Sequence, residues 1–158
     1  DGQDIPEEMI GLWGNSMGAG TAAITFGQDE RLQAVVLDSG YLDLGVIVRE
    51  ELAREGYPAF LAPACIWAAF LFGGESLLEP SPRSAFENAG NRSILVIHGL
   101  DDDRVLSHHS EDMLDLAEEL DVNATGWLVE GVGHVEVKLS HSDEYERRLS
   151  EFYLAALT

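Results

Sequence analysis

The tightest constraint on the fold is an alternation. Short, unbroken apolar runs at residues 9–13 (M-I-G-L-W), 34–37 (A-V-V-L) and 93–98 (S-I-L-V-I-H) are separated by stretches with helical spacing. A continuous apolar run of four to six residues, with β-branched residues at its centre, reads as a strand covered on both faces. Residues 125–130 read as a fourth strand. Residues 17–26, rich in Ala, Gly and Thr, read as a closely packed helix. Residues 107–120 predict an amphipathic helix with Met113, Leu116 and Leu120 on its apolar side. Residues 142–157 predict another, capped by Ser142, with Tyr145, Leu149, Phe152 and Ala156 as its stripe. Strands that alternate with helices form a parallel sheet with crossover helices, so the expected class is α/β. At 158 residues and 46% apolar composition, one domain with a packed core is expected.

One segment breaks the rhythm. Far more chain separates the second and third strands than a crossover needs. It predicts a helix over 42–55, then an apolar stretch over 57–72 that Pro58 and Pro63 interrupt. That stretch is too short and too broken to span a bilayer. Residues 42–90 therefore read as a helical, cap-like insertion. Trp67, Phe70 and Phe72 either line an apolar pocket there or pack on the core. Cys65, in the same apolar stretch, reads as a buried, inert thiol.

Charge narrows the partners. Nine basic residues against 29 acidic ones give a net charge of −20. Nucleic acid is excluded as the main ligand, since phosphate binding needs clustered Lys and Arg. An anionic membrane surface is disfavoured for the same reason. Of the basic residues only Lys138 is lysine, a balance that suggests adaptation to high salt. The single cysteine forbids an intrachain disulfide and fits a reducing, cytoplasmic compartment.

The chemistry gathers at the strand ends. Gly14-Asn15-Ser16-Met17-Gly18 is G-x-S-x-G, weak as a bare pattern but set between a strand and a helix. That context defines a nucleophile elbow, where a sharp turn strains the serine backbone. Glycine at positions 14 and 18 then has a steric reason. A serine hydroxyl needs a base, and the base an acid to hold it. The third strand runs into His98-Gly99-Leu100-Asp101-Asp102-Asp103-Arg104-Val105, and the fourth into Gly131-Val132-Gly133-His134. Both candidates lie past the C-terminal ends of strands, where open parallel sheets bind ligands. Asp101 and Asp103 flank Asp102, and Asp38 is a possible alternative acid, though it reads better as a partner for nearby loop backbone. His98 reads as a brace for its strand end. His108 and His109 match no standard metal spacing and read as exposed, so no metal is expected.

The stretches I-G-L-W-G-N-S-M-G-A-G-T-A, I-L-V-I-H-G-L-D-D-D-R-V and L-V-E-G-V-G-H resemble the three site motifs of the α/β-hydrolase superfamily. They are most similar to its serine-aminopeptidase-like and prolyl-oligopeptidase-like branch. A-V-V-L-D-S-G-Y-L-D-L resembles the strand after the elbow helix. The resemblance implies Ser16 as nucleophile, His134 as general base and Asp102 as the acid, with the Met17 N–H as one oxyanion donor. Leu106 stands where the family often has proline.

The implied activity is hydrolysis of an ester, amide or thioester through an acyl-enzyme, carboxylesterase-like, with no cofactor. A serine peptidase is the alternative, and a non-catalytic binding protein or inactive fragment a further one. The implied substrate is a small-molecule or peptide acyl compound.

The resemblance also implies a missing half. Only eight residues precede the first strand, so the chain is expected to be the C-terminal half of the fold. The absent half would supply the second oxyanion donor and cover the elbow-strand edge, unless a partner chain does so. Loss of one such donor typically costs about 10²–10³ in turnover, so the isolated chain is expected to be nearly inactive.

Overall fold

The computed structural model describes Pro6, residues 9–73 and residues 79–157. Four strands form one parallel sheet in the order β1-β2-β3-β4: β1 Gly11–Asn15, β2 Ala34–Asp38, β3 Ser93–Gly99 and β4 Ala124–Val129. β1 begins two residues later than its apolar run and carries on through Gly14 to Asn15. Pairing with β2 extends it, since Asn15 lies in register with Asp38.

The continuous apolar runs serve two cores at once. Along β2 and β3, Val35, Leu37, Ile94 and Val96 face one side, and Val36, Leu95 and Ile97 face the other. Side chains alternate across a strand, so a sheet covered on both faces must be apolar at every position. On the first side the sheet meets α1 (Met17–Gln28), α4 (Ser84–Glu87) and α5 (His108–Glu119) through Phe26, Phe86, Met113 and Leu116. On the second it meets α6 (Val137–Ser140) and α7 (Ser142–Ala156) through Val137 and Tyr145, with Leu149, Phe152 and Tyr153 packed alongside. Tyr153 lies so close to β1 that a Cβ on Gly11 would stand 2.4 Å from its ring, and its hydroxyl donates to the Leu12 carbonyl at 2.6 Å. Burial pushes the Tyr153 phenol up to about 12. Ser142 does not cap α7; His141 occupies the N-cap position, without a side-chain cap bond.

Between β2 and β3 lie α2 (Leu44–Arg54), a 3-10 turn at Ala59–Leu61, α3 (Ala62–Gly73) and α4. Residues 74–78 of this segment lie outside the described residues. The Asp43 side chain caps α2 by accepting the Val46 N–H at 3.1 Å. Pro63 does not interrupt: it occupies the first turn of α3, where a missing N–H costs nothing. Two expectations for α3 fail. Trp67 is 64% and Phe72 93% exposed, and Phe70 is exposed as well, so these rings do not pack on the core. Trp67 instead meets Phe70 edge to face and borders a shallow hollow with Asp43, Gly45, Arg49, Pro63 and Ile66. Cys65 is exposed, not buried. All sides of α3 are apolar, so sequence pattern could not tell which side, if any, would be covered. Among the described residues no helix is long and apolar enough to cross a membrane.

Candidate active site

Three strand ends converge on one point. β1 turns into α1 at Ser16, whose backbone is held at φ 51°, ψ −124°. Only a few per cent of non-glycine residues adopt positive φ, and such strain persists where surroundings enforce it. Here the Ser16 N–H donates to the Asp38 carbonyl at 2.8 Å. The elbow is also tight: a Cβ on Gly14 would lie 2.2 Å from the Gly18 carbonyl oxygen. Gly18 differs from expectation. A Cβ there would meet only Asn15 Oδ1, at 4.0 Å, so the steric demand falls on Gly14 alone.

The β3 end supplies Asp102, buried although Asp101 and Asp103 on either side are exposed. Its Oδ1 accepts the Arg104 and Val105 N–H groups, both at 2.9 Å. Its Oδ2 accepts His134 Nδ1–H at 2.7 Å and lies 3.3 Å from His98 Nε2. Burial works to raise this carboxyl, but the bonds from His98, His134, Val105 and Arg104 outweigh it and hold the group at about 2. His98 is fully buried and its Nε2–H donates to the Val105 carbonyl at 2.8 Å, closing the Asp102 turn onto β3. It braces the strand end as expected.

The loop after β4 carries His134. Its Nδ1 is committed to Asp102, which leaves the Nε2 lone pair facing Ser16 Oγ at 2.9 Å. The next residue, Val135, has φ 59°, and its N–H donates to Ser39 Oγ at 3.1 Å. Ser39 (φ 49°) in turn donates to Asp38 Oδ1 at 3.2 Å. Asp38 Oδ2 accepts the Tyr145 hydroxyl at 2.7 Å, and Trp13 Nε1–H donates to that same hydroxyl at 2.9 Å. The Asp38 carboxylate is therefore bonded to side chains, not to loop backbone as expected, and it shares no hydrogen bond with His134. Burial pushes its carboxyl up, against the lowering bonds from Tyr145 and Ser39. Burial and the facing Asp38 likewise raise the Tyr145 phenol. This second tier, which holds the His134 loop through Ser39, was not visible as a motif.

Met17 opens α1 and its side chain is largely exposed. The first N–H groups of a helix have no intrahelical partner and carry the positive end of its dipole, so this end favours developing negative charge. Chemically, the arrangement can take a proton from a serine hydroxyl and hold the resulting imidazolium against a carboxylate.

Fold and site together define an α/β-hydrolase. The chain belongs to the prolyl oligopeptidase family, whose pattern matches residues 2–158. No curated protein sequence matches it. Solved structures share its fold at low identity. An esterase, Pf2001 of Pyrococcus furiosus, superimposes with a TM-score of 0.68 at 18% identity, over 94% of this chain and 54% of that one. The acylaminoacyl peptidase of Pyrococcus horikoshii gives 0.72 at 16%, over 96% and 24%. A puromycin-hydrolyzing peptidase of Mycobacterium tuberculosis gives 0.71 at 22%, over 93% and 22%. The chain thus spans about half the length of the esterase and about a quarter of the two peptidases.

Proposed function

We propose that this chain carries the nucleophile, base and acid of a serine hydrolase that cleaves an ester, amide or thioester, with a carboxylesterase-like preference. The observation that supports it is the unbroken relay from Ser16 Oγ through His134 to Asp102, with contacts of 2.9 and 2.7 Å. Ser16 Oγ attacks the carbonyl carbon while His134 Nε2 takes its proton. The tetrahedral oxyanion rests against the Met17 N–H at the start of α1. Collapse breaks the bond to the leaving group, which receives the proton from His134. Water, deprotonated by the same nitrogen, then releases the acid from Ser16. Asp102 stays ionised throughout and stabilises the imidazolium. These roles are filled by side chains and backbone, so no cofactor is invoked.

The esterase preference rests on the aromatic, apolar α3 of the cap-like insertion, which suits an acyl chain. The peptidase reading draws on the prolyl oligopeptidase family and on the peptidases that share the fold. Among the described residues β1 is the sheet edge, paired with β2. Trp13 and Met17 are exposed beside it. An open parallel edge is a pairing surface. We therefore place the remaining strands of the same fold, or a partner chain, against β1, with the second oxyanion donor among them.

A fluorophosphonate probe on the full-length protein tests this. Label is expected on Ser16 and absent in Ser16→Ala. An unlabelled Ser16 in folded protein would sink the proposal. Parallel assays with p-nitrophenyl esters and peptidyl anilides decide between esterase and peptidase.

A further inference from the structure

Outside this site, three metal-binding side chains from two elements meet at one point. Glu50 projects from α2 in the insertion, and His108 and His109 open α5 on the sheet domain. Their ligand atoms all lie within 4.8 Å of one another. Glu50 Oε1 stands 2.7 Å from His108 Nε2, and Glu50 Oε2 2.8 Å from His109 Nε2. His109 is 1% exposed, contrary to the expectation that both histidines face solvent. His108 and Glu50 remain reachable from solvent, with side chains 39% and 24% exposed.

The placement of the partners gives this cluster its meaning. His108 faces a carboxylate at each nitrogen: Asp112 Oδ2 lies 3.3 Å from Nδ1 and Glu50 Oε1 lies against Nε2. A neutral imidazole donates from one nitrogen only, so a cation at His108 Nε2 leaves Nδ1–H for Asp112. His109 presents its own Nε2 to the same Glu50 carboxylate, and the two rings stack at 4.2 Å. Two imidazole nitrogens and one carboxylate from two separate elements thus converge on one point. One divalent cation between Glu50 and the two Nε2 atoms satisfies all three groups at once. Asp112 then accepts His108 Nδ1–H, the outer carboxylate that metal-bound histidines usually have.

We infer that Glu50, His108 and His109 form a site for a borderline divalent metal, zinc first, which cross-braces α2 of the insertion to the start of α5. Two imidazoles and one carboxylate suit zinc, with water as fourth ligand. Tetrahedral zinc, with bonds of about 2.0–2.2 Å, sets its ligands about 3.3–3.5 Å apart. Glu50 would need to withdraw by roughly half an ångström to admit the ion, a small movement for a partly exposed, three-torsion side chain. The net charge of −20 favours a cation over an anion here. The spacing rule missed the site because its third ligand lies 58 residues upstream of His108.

The test uses EDTA-stripped full-length protein, titrated with Zn²⁺ against a chromogenic chelator. One equivalent should bind and raise Tm. Glu50→Gln and His108→Asn should each weaken binding at least tenfold and abolish the Tm rise. Asp112→Asn should weaken it by about tenfold, and His141→Asn should change nothing. Co²⁺ in the wild type should show tetrahedral visible bands that Glu50→Gln loses. His108 is partly exposed, so its variant serves if Glu50→Gln folds poorly. Absence of Zn²⁺ binding to the wild type overturns the site. So does equal binding by wild type, Glu50→Gln and His108→Asn.

Discussion

Asp38 closes β2 and Asp102 lies three residues past the end of β3; both carboxylates are buried, and the two are held in opposite ways. Asp102 collects three N–H donors, two from backbone and one from His134, with His98 Nε2 a further 3.3 Å neighbour, and is driven low. Asp38 collects two hydroxyls, from Ser39 and Tyr145, and burial drives it high. The side chain is the same. What differs is whether the surrounding donors can outweigh loss of water. The low carboxyl is suited to holding charge on His134, while the high one is suited to holding a loop in place.

The largest effect should come from exchanging the carboxylate that touches His134. Asp102→Asn in the full-length protein should lower ester or peptide turnover by about 10⁴-fold, because the imidazole loses its orienting acceptor. Asp38→Asn should lower turnover far less, since Asp38 reaches the His134 loop only through Ser39 and the Val135 N–H. Equal losses in the two variants would erase the distinction.

Tyr145→Phe comes next. It removes the hydroxyl that serves both Asp38 and Trp13, and should cost about 2 kcal/mol of stability in urea melts with little change in turnover.

The pH dependence should then run in opposite directions. The Asp102 carboxyl is lower in the fold than the unfolded value of about 3.9. Its contribution is present above that value and is lost as pH falls towards about 2. The Asp38 carboxyl is raised, so its contribution is present below about 3.9 and is lost as pH rises through the folded pKa. Urea midpoints of each Asn variant, subtracted from wild type across pH 2–7, should slope in opposite senses. Parallel slopes would mean that burial alone governs both.

The smallest effect concerns the surface rather than the strand ends. Molar salt should raise the urea midpoint by screening the net charge, while leaving the difference between the two Asn variants unchanged. Equal midpoints at low and molar salt would count against adaptation to salt.

The upper part of this site was legible from sequence because each member sits at the end of an unmistakable strand. G-N-S-M-G, H-G-L-D-D-D and G-V-G-H mark Ser16, Asp102 and His134, and a parallel sheet places such ends on one edge. Asp102 was chosen between two acidic neighbours by pattern, and the structure buries it alone of the three. The layer beneath was not legible. Tyr145 reads as one more apolar residue on α7, and its bond to Asp38 spans 107 positions. Cys65, Trp67 and Phe72 failed for a related reason. Burial belongs to what lies opposite, and an all-apolar helix carries no record of its neighbours. Ser142 shows the limit of local signals, since a residue that could cap a helix was instead absorbed into its first turn.

One detail of α3 has a practical reach. The chain has a single thiol, and it stands in the open on the insertion, well along the sequence from Ser16. A maleimide dye would therefore attach at one place only and report from the insertion itself. This chain thus carries its own attachment point for a fluorescence or spin reporter on α3.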